Sequence, residues 1–159
     1  MYQKILVPLD GSELAECVLP HVESIAKGCN AGSVAFIRVA EPVHMPVSSE
    51  YDGYIFSAED WRRMEAESRA AAERYLTGLM SRVKYDGVNI TAEVLTGGRA
   101  AEMITEYAAK NGVDLITIAT HGRSGISRWV WGSVADRVLR SSTVPVLMVR
   151  APGCLPGSI

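Results

Sequence analysis

Several features that would indicate a secreted, membrane or disulfide-stapled protein are scarce or missing in this sequence. The three cysteines, Cys17, Cys29 and Cys154, show neither paired nor metal-ligand spacing, which predicts reduced thiols. No apolar run approaches the length needed to cross a bilayer, and the first predicted strand begins almost at Met1, which leaves no room for a signal peptide. We therefore expect a cytoplasmic protein.

An excess of positive charge is also missing. The formal net charge is -2, and the basic residues are scattered among acidic ones, so we expect no nucleic-acid partner. His21 and His44 stand apart, and no histidine, cysteine or carboxylate cluster has zinc-site spacing, so we expect no dedicated metal ligands. The motifs GxxxxGK[ST], GxSxG and GxGxxG are absent, which argues against a P-loop, a hydrolase nucleophile elbow and a dinucleotide fingerprint.

What the sequence does contain is a regular alternation of short apolar runs with amphipathic segments. Its 159 residues suit one domain, which we place at residues 1–150, followed by a flexible C-terminal tail at 151–159. The predicted strands are Lys4–Leu9, Ser33–Ala40, Asn89–Leu95, Asp114–Ile118 and Pro145–Val149. The predicted helices follow Ser12, span Ala58–Lys84 and Arg99–Asn111, and begin again at Ser133. This order predicts a single-domain α/β fold, an open five-stranded parallel sheet with helices on both faces.

Three local features qualify this outline. Pro20 lies inside the first helix, where it predicts a kink or a broken turn, not two separate elements. The connection Glu41–Glu59 is unusually long, as lids, binding loops and disordered segments are. Pro145 cannot donate to a strand ladder, so the fifth strand is predicted at the sheet edge, where the same strand of a second subunit would cover it.

One glycine-rich stretch, residues 119–133 (ATHGRSGISRWVWGS), connects the fourth strand to the last helix. Gly122 and Gly125 permit turns and a close backbone approach that a side chain would obstruct. Gly132 and Ser133 then begin a helical pattern, so the loop ends at a helix N-terminus, where free amides and the helix dipole favour an anion. We interpret the stretch as a nucleotide phosphate cradle. Two arginines add charge to it, Arg123 and Arg128.

The predicted sheet places an acidic residue beside this cradle. Ligands of open α/β sheets lie outside the carboxyl ends of the strands, where the strand order reverses. A sheet ordered 3-2-1-4-5 reverses between strands one and four. Asp10, which follows the first strand, would then lie next to the cradle.

The segments KILVPLDGS and ATHGRSGISRWVWGSVADRVLRSSTVPVLMVR resemble the universal stress protein family, over nearly the whole chain. The nucleotide-binding branch of the family is similar in its frame of a glycine, two residues, a glycine, nine residues, then glycine followed by serine or threonine. Here the frame falls on Ala119, Gly122 and Gly132-Ser133. The resemblance implies an adenine-nucleotide alpha-hydrolase-like fold with sheet order 3-2-1-4-5, a homodimer joined through strand five, and a site for ATP or AMP. It also implies Mg or Mn held through the phosphates.

The resemblance further implies a role for each site residue. Asp10 would accept hydrogen bonds from the ribose, Pro8 would line the pocket nearby, and the backbone of Val39 would meet the adenine edge. The loop would wrap the ribose and phosphates through Ala119, Thr120, His121, Gly122, Arg123, Ser124 and Gly125. The last helix would present amides and one hydroxyl to the terminal phosphates from Gly132, Ser133, Val134 and Ala135. Ala119 replaces the family's first glycine, and its methyl would crowd the ribose or limit the backbone angles and so lower the affinity.

Each of these features has a simpler interpretation. The cradle is, in the alternative, a connection without a ligand, as in the branch of the family that does not bind ATP. Asp10 alone would merely cap a turn. For His121, which has no acidic or nucleophilic partner legible in the sequence, we favour a role in ordering the loop over one as a base. Trp129 and Trp131 either cover the nucleotide or the subunit contact, or fill an apolar gap.

Three functions follow from these alternatives. The one we favour is a dimeric stress-response protein that binds an adenine nucleotide and acts as a sensor or signalling module. The second is a ligand-free dimeric interaction protein, for which Ala119 is the main support. The third is a slow ATPase or phosphotransferase that uses His121 or Asp10, and we favour it least because no activated nucleophile is legible.

Overall fold

The computed structural model describes residues 1–40, 57–120 and 132–150. Within these ranges, five strands form one parallel sheet in the order β3-β2-β1-β4-β5, which confirms the predicted fold class and sheet order. The strands are β1 (Lys4–Pro8), β2 (Ser33–Ala40), β3 (Asn89–Thr96), β4 (Leu115–Ala119) and β5 (Val146–Val149). The predicted tail and most of the predicted long connection lie outside the described residues.

Helices cover both faces of this sheet. They are α1 (Leu19–Cys29), α2 (Ala58–Arg82), α3 (Ala100–Lys110) and α4 (Ser133–Ser141). On one face, Val22 of α1 and Leu79 of α2 pack on Val7 and Phe36. On the other face, Ile104 of α3 and Val138 of α4 pack on a second cluster. None of the described helices is long and apolar enough to cross a bilayer.

The central strands are apolar on both sides because both of their faces are covered. All five residues of β4 are buried, as are four of the five residues of β1. Continuous burial of this kind is typical of parallel strands between two helical layers. The two strands pair in register at Ile5 with Leu115 and at Leu6 with Ile116, so their carboxyl ends emerge side by side.

The segment around Pro20 corrects the sequence prediction. Two abutting elements replace the single kinked helix, a 3-10 turn at Ala15–Val18 followed by α1. Pro20 is the second residue of α1, where no helical hydrogen bond needs its missing N–H, so a new helix begins there without a kink. Ser12 still caps this region, because its hydroxyl accepts a hydrogen bond from the amide of Ala15 at 3.2 Å.

Helix α2 begins at a complete capping box. The Ser57 hydroxyl accepts a hydrogen bond from the amide of Asp60 at 3.1 Å, and the Asp60 carboxylate accepts one from the amide of Ser57 at 3.1 Å. The helix runs for 25 residues over β2 and β3. Its length brings the middle of α2 above the carboxyl end of β2, where the candidate site lies.

Strand β5 forms one edge of the sheet, as predicted from Pro145. The strand itself begins one residue later, at Val146, and pairs with β4 along its inner side. Its first three residues are only partly buried, so β5 presents an unpaired and partly apolar edge within the described part of the chain.

Candidate functional site

A cavity of about 470 Å³ lies at the carboxyl ends of β1, β2 and β4. From β1 the chain continues to β2 on one side of the sheet, and from β4 it continues to β5 on the other side, so the strand order reverses between β1 and β4. The volume of the cavity falls within the range of roughly 300–1,000 Å³ that is common for small-molecule sites. The lining residues that the sequence predicted are Pro8, Asp10, Val39, Ala119, Thr120, Gly132, Ser133, Val134 and Ala135.

The N-terminus of α4 faces this cavity. Gly132 is the N-cap residue, and no side chain of the described residues caps the helix. The amide of Gly132 donates to the carbonyl of Thr120 at 2.7 Å, which anchors the helix start to the end of β4. Because the first amides of a helix have no partner within it, Ser133, Val134 and Ala135 bring donors and the positive end of the dipole to the cavity wall.

Asp10 lines the same cavity and also organises its own turn. Its Oδ1 accepts hydrogen bonds from the amide of Ser12 at 2.9 Å and from the Ser12 hydroxyl at 2.7 Å. The turn-capping interpretation of Asp10 is therefore correct. It does not exclude a ligand role, because Asp10 is only partly buried and lines the cavity.

Ala119 is the last residue of β4 and touches both the cavity and the core. It is 8% exposed and belongs to the apolar cluster that contains Val7, Leu9 and Val149. The methyl group therefore has core neighbours as well as a cavity surface. Whether it weakens ligand binding stays a prediction.

The middle of the predicted cradle lies outside the described residues. This applies to the predicted contacts His121, Gly122, Arg123, Ser124 and Gly125, and to Arg128, Trp129 and Trp131.

Arg38 is the main residue of the cavity that the sequence analysis missed. Its guanidinium lies over the ring of Tyr75, 5.1 Å from the ring centroid, and Nη1 donates to the carbonyl of Ala71 at 3.3 Å. Gly11 adjoins it so closely that a Cβ there would lie 2.7 Å from Nη1. A charged residue near the end of the apolar run SVAFIRVA was the available signal.

The rest of the cavity lining is uncharged. It consists of Leu9, Ala15, Ala40, Ser68, Ala100, Ile104 and Ile118. Among the described lining residues, Asp10 and Arg38 carry the only charged side chains. No group of three or more histidine, cysteine or acidic residues in the described ranges is arranged to hold a metal ion.

The fold and the cavity define an α/β protein with a site at its topological switch point. Residues 1–150 match the Universal stress protein family, and the chain belongs to that family. It is 30% identical over 154 residues to Universal stress protein MJ0531 of Methanocaldococcus jannaschii, covering 96% of this chain and 84% of that protein.

Solved structures agree with this assignment. MJ0577 of the same organism is 27% identical, with a TM-score of 0.72, over 96% of this chain and 99% of that chain. A universal stress protein family protein from Arabidopsis thaliana, solved with AMP bound, is 14% identical, with a TM-score of 0.58, over 95% of this chain and 93% of that chain.

Proposed function

We propose that this protein binds an adenine nucleotide in the cavity between β1, β4 and α4. One observation carries the proposal: the start of α4, which no described side chain caps, shares a single cavity with Asp10 at the point where β1 and β4 diverge. A phosphate favours the helix N-terminus, and a carboxylate accepts hydrogen bonds from ribose hydroxyls. The AMP-bound Arabidopsis thaliana protein, which has the same fold, supports the choice of an adenine nucleotide.

The lining residues suggest how such a ligand would be held. The amides of Ser133, Val134 and Ala135 would bind phosphate oxygens, and Asp10 would bind the ribose. The adenine would lie toward Val39, against apolar side chains such as Ile118. A divalent ion would be coordinated by the phosphates, since the described residues supply no ligand cluster. Residues 121–125 stay candidates on the sequence alone.

Isothermal titration calorimetry of the full chain with AMP, ATP and MgATP tests this proposal, with GTP as the base-specificity control. We expect saturable binding of an adenine nucleotide and a rise in melting temperature, because a ligand that binds only the folded state stabilises it. Absence of binding at millimolar concentration, with no change in melting temperature, would reject the proposal and favour a ligand-free interaction protein.

A conservative variant locates the site. Asp10→Asn keeps one side-chain oxygen for the Ser12 hydrogen bonds but removes the negative charge and one acceptor. We expect weaker nucleotide binding by about tenfold, the effect of losing one hydrogen bond to a charged group. Asp86→Asn, in the exposed turn before β3, is the matched control and should bind as the parent does.

We further propose that two copies pair through β5 and that the dimer acts as a nucleotide-responsive stress module. The carbonyl of Pro145 accepts a hydrogen bond from Ile116 of β4, and that of Val149 accepts one from Thr120 just after β4. The peptide groups of Val146 and Met148 therefore point to the outer edge. Met148→Pro removes an outward amide and leaves the β4 ladder intact. Light scattering should show a dimer for the parent and a folded monomer for this variant, whereas a monomeric parent would refute the pairing.

A further inference from the structure

We propose that the nucleotide site continues into a second cavity and binds adenine nucleotides whose 6-amino group carries a substituent with a carboxylate. This inference rests on the proposed function and names a ligand class for the same site. The second cavity lies where β2 and β3 end beside α2.

The second cavity has a volume of about 620 Å³ and adjoins the first, because Ala40 and Ser68 line both. Its described lining leaves room for a ligand. Gly97 has a φ of +95°, and a Cβ there would have no atom within 4 Å. The Ser68 hydroxyl makes no hydrogen bond within the described ranges, whereas that of Ser81, on the same helix, donates to the carbonyl of Gly78. Ser68 can therefore donate to a ligand at the border between the two cavities.

The order of the strands sets which part of a nucleotide would meet this border. In the proposed binding mode the phosphates lie at the start of α4 and the adenine lies toward Val39. The sheet order β3-β2-β1-β4 places the second cavity on the side of the adenine that faces away from β4. Adenine is attached to the ribose at one edge and carries its 6-amino group at the far edge. The 6-amino group would therefore face Ala40 and the second cavity.

The charged lining of the second cavity favours a carboxylate. Arg62 and Arg69 line it from α2, seven residues and about two helical turns apart, with Glu65 between them. Neither Arg62 nor Glu65 forms an ion pair with another residue of the described ranges. Arg69 donates to Glu73 at 2.8 Å through Nε, and its terminal nitrogens have no described partner. Because a guanidinium binds a carboxylate through paired donors, both arginines can hold an anionic substituent.

The test is calorimetry of the full chain with AMP and with two AMP derivatives, whose 6-amino group carries a carboxymethyl or an aminoethyl substituent. We expect the carboxymethyl derivative to bind at least as tightly as AMP, because the second cavity accommodates the substituent. It should bind about threefold more tightly than the aminoethyl derivative, the contribution of one exposed ion pair. This difference should shrink at high salt, which screens exposed charges.

Two variants locate the substituent, each with a control. Arg62→Gln should remove most of the preference for the carboxymethyl derivative and leave AMP affinity unchanged. Arg74→Gln, which removes an exposed arginine of α2 outside the described lining of both cavities, should keep the preference. Ala66→Leu narrows the second cavity and should weaken binding of both derivatives but not of AMP. Ala109→Leu, on the exposed surface of α3, should bind all three as the parent does.

The outcomes separate this inference from the proposed function. Binding of AMP with exclusion of both derivatives refutes the use of the second cavity and leaves the nucleotide site standing. Equal affinities for the two derivatives, or a preference that persists in Arg62→Gln, refute the charge selectivity. Failure of all three nucleotides to bind refutes both proposals.

Discussion

The amide of Gly132 donates a hydrogen bond of 2.7 Å to the carbonyl of Thr120, and this bond ties the start of α4 to the end of β4. Thr120 is tied in turn to β5, because its amide donates to the carbonyl of Val149 at 2.8 Å. The position of the helix N-terminus is thus set by the sheet. This anchoring gives the proposed phosphate site a fixed direction toward the cavity.

A negative charge introduced at the N-terminus of α4 should change the free energy of unfolding and the nucleotide affinity in opposite senses, raising the first and lowering the second. In Ser133→Glu, the new carboxylate interacts favourably with the dipole of α4 and should raise the free energy of unfolding by about 0.3–1 kcal/mol. The same carboxylate competes with phosphate for the amides, so nucleotide affinity should fall by about tenfold or more. Chemical denaturation and calorimetry measure the two effects.

Ser141→Glu is the matched control, because it places the same charge at the other end of α4. This variant should lower the free energy of unfolding and leave nucleotide affinity unchanged. Equal affinities in the parent and Ser133→Glu would mean that the ligand binds elsewhere.

Gly11 has a backbone conformation that other residues rarely adopt. Its φ is +86°, and a Cβ there would lie 2.7 Å from Nη1 of Arg38. Gly11→Ala should therefore lower the free energy of unfolding by about 1–2 kcal/mol through backbone strain. It should also weaken nucleotide binding, because the turn carries Asp10 and adjoins Arg38.

Gly78→Ala provides the comparison for this substitution. Gly78 lies within α2, and a Cβ there has no atom within 4 Å, so alanine should raise the free energy of unfolding by about 0.5–1 kcal/mol. Urea denaturation of both variants measures whether the free energy of unfolding falls in Gly11→Ala and rises in Gly78→Ala. Equal effects at Gly11 and Gly78 would contradict the strained conformation at Gly11.

The strands were predictable from sequence because their signals are local. Runs such as SVAFIRVA predict a strand by composition, and β2 begins and ends where expected. The division at Pro20 was not predictable in this way, because helical spacing continues through both the 3-10 turn and α1. Asn30, with φ of 52°, is the C-cap of α1 in the left-handed conformation.

The cavity was predictable only in part. Asp10 and the residues of α4 follow from where parallel strands end, which is a rule of topology. The position of Arg38 depends on Tyr75 and Ala71, which lie more than 30 residues later in the chain and on a different element. Such a contact is set by how α2 crosses the sheet, and hydrophobic periodicity does not encode it.

Glu16 connects the 3-10 turn to α2 and should make stability depend on pH in the acid range. Its Oε1 accepts hydrogen bonds from Arg82 at 2.5 Å and from the Tyr75 hydroxyl at 2.9 Å. Burial raises the pKa of Glu16, but these two hydrogen bonds and the Arg82 charge lower it by more, so its pKa lies below the ordinary value of 4.5. The ionised carboxylate therefore contributes its full stability above pH 4.5, and this contribution is lost as the pH falls through the lower folded pKa.

Glu16→Gln tests this contribution. At pH 7 the variant should unfold with a free energy lower by about 1–2 kcal/mol, because two donors lose a charged acceptor. The difference between parent and variant should shrink as the pH is lowered below 4.5. Glu23→Gln, which breaks the exposed Lys27 pair, should change stability much less. A difference for Glu16→Gln that stays constant from pH 7 to pH 3 would argue against the ionic contribution.

Thr117 carries a buried polar group for which the described part of the chain offers no hydrogen-bond partner. It is 0% exposed in the middle of β4, and its hydroxyl has no hydrogen-bond partner among the described residues. Valine has nearly the same shape and favours strands, so Thr117→Val should raise the free energy of unfolding by about 1 kcal/mol. Thr91→Val makes the same change on the exposed surface of β3 and should have almost no effect. Urea denaturation decides between them: a loss of stability in Thr117→Val would show that this hydroxyl donates to a group in the native protein.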